Sequence, residues 1–329
     1  MKDLLKKTGN IEQLAYIRSV EYRGGQAEGL QAWQIRSGEM CFSVAKDKCL
    51  DITELSFQGV NLSFLSKNGL SGGSYARELA YSNKSVMGGM LFTCGTDNVG
   101  PGDMERQLPV HGSLRGTPAK HTWERSCFDE EGRYHLSVGG RMEQNGLFEG
   151  NIVLDRTIET VFGSGKITIT DRFRNEGYRR EAFMLLYHYN FSYPFLDTCC
   201  ELELDSAHTV LRGRAEEYGD GFRHIEEPVD GGEEKVFFHD VCAGPDGKVR
   251  LAVRNPQIGI EAALIYDKNV LPRLIQWSSM VSGDYALGLE PANCLVFGRR
   301  YEEEHGTLGF LESGEERTVC MELEIKKMI

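Results

Sequence analysis

From Ala15 onward the chain breaks into short runs of strand-forming residues, each stopped by turn formers. This punctuation constrains the fold more than any other feature of the sequence. Ala15–Tyr22 partly alternates and stops at Gly24-Gly25, and Leu30–Ile35 stops at Ser37-Gly38. Met40–Ala45 and Asp51–Phe57 follow. Beyond Thr122 the pattern strengthens in Tyr134–Met142, Asn151–Val161 and Lys166–Asn175, whose interleaved Thr, Asp and Arg suit antiparallel strands with one wet face. Ala182–Tyr193 is apolar on both alternating sets and reads as a central strand. Further runs are Cys199–Leu204, Lys235–Val241, Val249–Val253, Ile258–Tyr266, Arg273–Ser279, Ala286–Leu289, Thr307–Phe310 and Arg317–Lys326. A helical pattern is confined to residues 1–14, with Leu4, Leu5, Ile11 and Leu14 on one side, and to a turn at Tyr75–Tyr81. Roughly fifteen or more strands with almost no helix predict an all-β fold, a large antiparallel sandwich.

Composition removes several classes of function. The net charge of −12 lacks the basic footprint of a nucleic-acid binder and disfavours an anionic membrane surface. Neutral or weakly polar small molecules are the easier ligands. No apolar segment is long enough for a transmembrane helix, and MKDLLKKTGNIEQ has no apolar run of the secretory type. The nine cysteines are odd in number and form no CxxC pair, which weakens zinc-site and disulfide readings and makes a reducing cytoplasm the expected location. No linker or low-complexity tract divides the 329 residues.

Candidate chemistry gathers in three places. Met87–Ala119 is rich in glycine and carries Asp97-Asn98 and then HGSLRG, where His111 and Arg115 look held out by a turn. His188 lies inside the central strand, in YHYNFSYP, with Asn190 in step on the same face and Tyr187 and Tyr189 on the other. Glu290 ends a strand of Ala, Leu and Gly, where a rigid element would hold a carboxylate fit for a general base. The pattern alone also allows blander roles. His188 reads equally as a buried imidazole satisfied by a carbonyl, Glu290 as a strand-end surface group, and His239-Asp240 as a strand-end polar pair.

Together, HGSLRGTPA, YHYNFSYP and LGLEPAN resemble, in order and coarse spacing, the two His segments and the Glu segment of the aldose 1-epimerase (galactose mutarotase-like) superfamily. Thr93-Cys94-Gly95, Gly100, Pro118-Ala119 and Glu290-Pro291-Ala292-Asn293 are similar to the motifs of a divergent branch of it. The resemblance implies a super-β-sandwich spanning residues 1–329, with 1–29 peripheral, and a sugar cleft on one sheet. It implies Glu290 as base, His188 as acid and His111 as a hydrogen-bonding partner, in a reaction that opens and recloses the pyranose ring without a cofactor or metal. Where the family carries an Asn-Arg pair, this chain reads Ser82-Asn83-Lys84, so Arg77 or Arg115 is expected to supply the guanidinium and Asp97 and Asn98 further hydrogen bonds. Asp240 is the candidate for the family's sugar-binding acid, and Trp277 for a stacking platform. The expected partner is a sugar or sugar derivative, with no nucleic acid or membrane and a homodimer as the assembly considered. A non-catalytic sugar-binding protein, or a lyase or glycosidase on the same fold, is the alternative.

Overall fold

The computed structural model describes residues 2–72, 82–214 and 216–328. Tyr75–Tyr81 and Arg77 lie outside the described residues. In chain order the strands are β1 (Ala15–Glu21), β2 (Gln31–Ser37), β3 (Met40–Ala45), β4 (Asp51–Phe57), β5 (Val60–Asn61), β6 (Leu91–Thr96), β7 (Lys120–Phe128), β8 (Tyr134–Asn145), β9 (Asn151–Val161) and β10 (Lys166–Asn175). They continue as β11 (Glu181–Ala182), β12 (Met184–Ser192), β13 (Glu201–Glu203), β14 (Ser206–Leu211), β15 (Lys235–Val241), β16 (Lys248–Asn255), β17 (Ile260–Asp267), β18 (Arg273–Ser279), β19 (Ala286–Ala292), β20 (Phe310–Leu311) and β21 (Glu316–Lys327).

These strands form a five-stranded sheet (β1 to β5 in order), an eight-stranded sheet (β13-β16-β17-β21-β10-β9-β8-β7) and a six-stranded sheet (β14-β15-β18-β19-β12-β6), with β11 and β20 paired separately. Every named strand pairing is antiparallel, as the alternating pattern implied. The continuous apolar run of β12 is explained by its place inside the six-stranded sheet. Leu185, Tyr187, Tyr189 and Phe191 enter the main core, while Met184 and Leu186 join a second cluster with Phe92, Cys94, Ile275 and Cys294 on the other face.

A buried polar tie joins the three large sheets behind that face. Arg156 of β9 donates to both oxygens of Asp171 on β10 (2.8 and 2.6 Å), to Asp51 of β4 (3.0 Å) and to Thr93 of β6 (3.0 Å). Tyr187 of β12 donates to Asp171 (2.6 Å). Burial pushes the Asp51 carboxyl up to about 6 against the pull of Arg156. Removing one member would strand the others without water, a loss on the order of 3–5 kcal/mol.

Some sequence expectations shrink. The helix over residues 1–14 is one turn, Lys2–Leu5, followed by a 3-10 turn at Ile11–Gln13 that Asn10 caps. The strand at Thr307–Phe310 reduces to Phe310–Leu311. The pattern gave no sign of the helix Arg299–Glu304. Among the described residues no helix is long and apolar enough to cross a membrane.

Candidate active site

Strand register writes the floor of a cleft on the second face of the six-stranded sheet. Phe238 of β15 lies opposite Ile275 of β18, and Ile275 opposite Glu290 of β19. Tyr189 opposite Leu289 puts His188 opposite Glu290, and His188 lies opposite Phe92 of β6. Directly paired residues share a face, so these five side chains form one row. The adjacent row is Val236, Trp277, Gly288 and Asn190. The cleft above them has a volume of about 690 Å³.

The centre of the floor is an acid–base pair. His188 Nε2 lies 3.0 Å from Glu290 Oε1. Glu290 is 2% exposed, and burial drives its carboxyl well above the usual range; Glu234 adds to this and Arg212 opposes it. Burial lowers the His188 imidazole to about 3, with His111 contributing and the Asn190 hydrogen bond opposing. Both groups are therefore pushed towards their neutral forms, and the contact lets one proton serve the pair. The Nδ1 atoms of His111 and His188 are buried without a hydrogen-bond partner among the described residues. The two rings stand edge to face at 6.1 Å, and burial lowers His111 to about 4.

Gly288 opens the space in front of this pair. A Cβ there would stand 2.8 Å from His188 Cε1, 2.9 Å from Glu290 Oε1 and 3.0 Å from Trp277 Cβ. Glycine inside a strand marks a close approach, and this one keeps the space in front of His188 and Glu290 clear. Trp277 is fixed beside it: its Nε1 donates to Glu234 (2.7 Å), which also accepts from Arg212 (2.7 Å).

A family profile described as a domain of unknown function (DUF4432) matches residues 27–325. The chain belongs to this family. Among curated proteins no sequence matches the DUF4432 chain. Solved structures match it over nearly its whole length. A candidate aldose 1-epimerase from Klebsiella pneumoniae is 16% identical with a TM-score of 0.84, over 94% of this chain and 83% of that one. The galactose 1-epimerase of Lactobacillus acidophilus is 12% identical with a TM-score of 0.62, over 96% and 100%. A galactose mutarotase-like protein from Clostridium acetobutylicum is 12% identical with a TM-score of 0.65, over 96% and 100%. The DUF4432 chain thus has the galactose mutarotase-like sandwich fold.

Of the residues singled out in the sequence, His111, His188, Glu290 and Trp277 line the cleft. Four others do not, and their polar atoms are spent elsewhere. Asp97 accepts from the Ser113 backbone (2.9 Å) and hydroxyl. Asn98 donates to Pro101 O (2.8 Å) and Pro109 O (2.9 Å) and accepts from Arg299 N (2.9 Å). Arg115 donates to Val110 O (2.8 Å), Ser85 O (3.1 Å) and Ser85 Oγ (2.7 Å). Together they build the loop that presents His111, whose φ of +58° is followed by Gly112 at +82°. Gly112 is obligatory there, since a Cβ would meet Gly95 O and Asn98 O at 2.4 Å. Asp240 is corrected outright: it is exposed and pairs with Lys268 (3.0 Å), because it lies past the row of Phe238 on β15.

Besides Glu290, the acids that line the cleft are Asp284 and Glu234, the latter on the approach to β15 and in step with Val236. Its spacing from Val236 and Phe238 was the available signal. Lys67, Lys84, Arg212 and Asp284 also line the walls. Of these only Lys84 was considered from the sequence; the others lie in loops or strand ends with no periodicity to expose them.

Proposed function

We propose that the chain is a carbohydrate isomerase of the aldose 1-epimerase type, interconverting the anomers of a sugar. The observation that carries this reading is the 3.0 Å contact between Glu290 and His188 on the cleft floor, with His111 facing the same space. A carboxylate and an imidazole beside a hemiacetal can move the two protons that ring opening requires. With the pair's shared proton on His188 Nε2, Glu290 is a carboxylate and takes the proton of the anomeric hydroxyl. His188 gives a proton to the ring oxygen as the bond from C1 to that oxygen breaks. Rotation about C1–C2 presents the other face of the aldehyde, and reclosure returns both protons to their origins. His111, neutral above about pH 4, hydrogen-bonds the sugar without competing for the proton. The names borne by the Klebsiella, Lactobacillus and Clostridium proteins support the same chemistry by fold analogy.

The test is NMR exchange between α and β anomers across a panel of aldoses. The wild type should accelerate exchange of at least one sugar, and Glu290→Gln should abolish the acceleration. Binding without acceleration would instead assign a sugar-binding protein.

A further inference from the structure

The overall charge of −12 does not describe the cleft. Among the described residues its walls carry Lys67, Lys84, Arg212, Glu234 and Asp284, and its floor carries His188 and Glu290. Lys67 bridges to Asp284 (2.6 Å) and Arg212 to Glu234 (2.7 Å), so these charges cancel. His188 and Glu290 share one proton and have no net charge between them. Lys84 remains: among the described residues its ammonium has neither an acid partner nor a hydrogen bond. The cleft therefore holds one uncompensated positive charge.

An exposed lysine is ordinarily a solvated one, but the backbone under Lys84 is fixed. Lys84 is the middle residue of the 3-10 turn Asn83–Ser85. Asn68 donates to Lys84 O (2.8 Å) and Val86 O (3.0 Å), and Ser66 Oγ to Val86 O (2.7 Å). Arg115 donates to Ser85 O (3.1 Å) and Ser85 Oγ (2.7 Å). The turn is also anchored beside the acid–base pair. Val86 packs on the cluster that contains Phe92, whose ring stands 6.2 Å from that of His188. Phe64, just before residues 66–68, donates its N–H to Asn190 O (3.2 Å), two residues along β12 from His188. A ligand bound by Lys84 therefore has to order little more than one side chain. An ammonium offers three donors and no acceptor, and so favours an anion over a hydroxyl. A single carboxylate balances its charge; a phosphate ester, at about −1.5 to −2, would leave the cleft negative.

We propose that the preferred substrate is a hexuronate, whose carboxylate on C5 binds Lys84 while its anomeric carbon lies over Glu290 and His188. This rests on the epimerase reading. The experiment compares kcat/KM for anomer exchange by NMR for glucuronate and galacturonate with that for glucose, galactose and glucose 6-phosphate. At least one uronate should exceed its own hexose by about tenfold, the low end for a hydrogen bond to a charged group. That ratio should fall towards one when salt is raised from about 0.01 M to about 1 M, which shortens the Debye length from about 30 Å to about 3 Å. Lys84→Met should bring it down likewise. The proposal is overturned if the hexoses or glucose 6-phosphate match both uronates, or if the ratio survives Lys84→Met or high salt. If no sugar is exchanged at all, the epimerase reading fails by itself. Tryptophan fluorescence titration then decides the carboxylate site: tighter binding of a uronate than of its hexose, lost in Lys84→Met, supports it, and equal or absent binding overturns it.

Discussion

Gly288 offers the sharpest test of how the site is built. Replacing it by alanine adds one methyl at 2.8 Å from His188 Cε1, 2.9 Å from Glu290 Oε1 and 3.0 Å from Trp277 Cβ. Carbon contacts settle at about 3.5–4.0 Å, so relief requires the imidazole, the carboxylate or the indole to retreat by roughly 0.5–1 Å. Overpacking of this kind costs about 1–3 kcal/mol, partly offset by about 0.5–1 kcal/mol because alanine has less freedom than glycine in the unfolded chain. The net loss of about 0–2.5 kcal/mol leaves the variant folded, with Tm lower by a few degrees. Catalysis should suffer far more, since a displacement near 1 Å at reacting groups costs about 100-fold. Anomer exchange by NMR and a thermal melt by circular dichroism measure the two effects separately. Gly116→Ala is the matched control, because a Cβ at Gly116 meets nothing within 4 Å and its backbone carries no positive φ. If Gly288→Ala exchanges anomers within twofold of wild type and melts with it, the bare floor is not what keeps the pair in place.

Three further outcomes follow from the same geometry. The pair works only while it carries one proton, so kcat/KM should fall on the acid side near pH 3, where His188 charges, and on the alkaline side well above the ordinary glutamate range, where Glu290 gives up the shared proton; a simple acid limb near pH 4.5 would refute the raised carboxyl. Glu234→Gln should loosen Trp277 and reduce kcat/KM, whereas Asp240→Asn, at an exposed pair with Lys268, should leave exchange rates unchanged; equal losses in the two variants would return Asp240 to the site. His239, buried and bonded to Thr209 (2.9 Å) and Gln276 (3.1 Å), has its imidazole lowered from 6.5 to about 4 by burial. The unfolded chain therefore binds this proton first, so stability falls as pH drops from 6.5 to 4, by about 1.4 kcal/mol per pH unit from this residue; His239→Gln should flatten the pH dependence of Tm, and an unchanged slope would contradict it.

The parts of this molecule legible in its sequence are those governed by alternation. Period two identified β12 as central, put Tyr187 and Tyr189 on the core side, and left His188 and Asn190 on the other. The same alternation on β15 puts Val236 and Phe238 on the face that carries the cleft, and Asp240, the acid that the resemblance pointed to, belongs to the same alternating set as Glu234. What decided between them was the direction in which the cleft extends along the strand, and that depends on pairing between β15, β18 and β19, which a single strand does not encode. Asp97, Asn98 and Arg115 misled for a different reason. Polar side chains in a glycine-rich loop satisfy the loop's own backbone as readily as a ligand, and composition cannot distinguish the two. Lys67 and Asp284 are 217 positions apart in the chain and meet only when the sheet has formed.

The placement of His188 and Glu290 on paired central strands ties the chemistry to the hydrogen-bond ladder. A slip of β12 by one residue against β19 would bring a tyrosine opposite Glu290 and turn His188 into the core, destroying the acid–base pair without changing a single amino acid. Glu234, Lys67 and Lys84 stand under no such condition, since they sit outside the strands that form the floor. Under the proposed function, substitutions among those wall residues would redirect which sugar is held while the floor continues to present the same two groups. On that reading the molecule separates what it does to a sugar from which sugar it does it to.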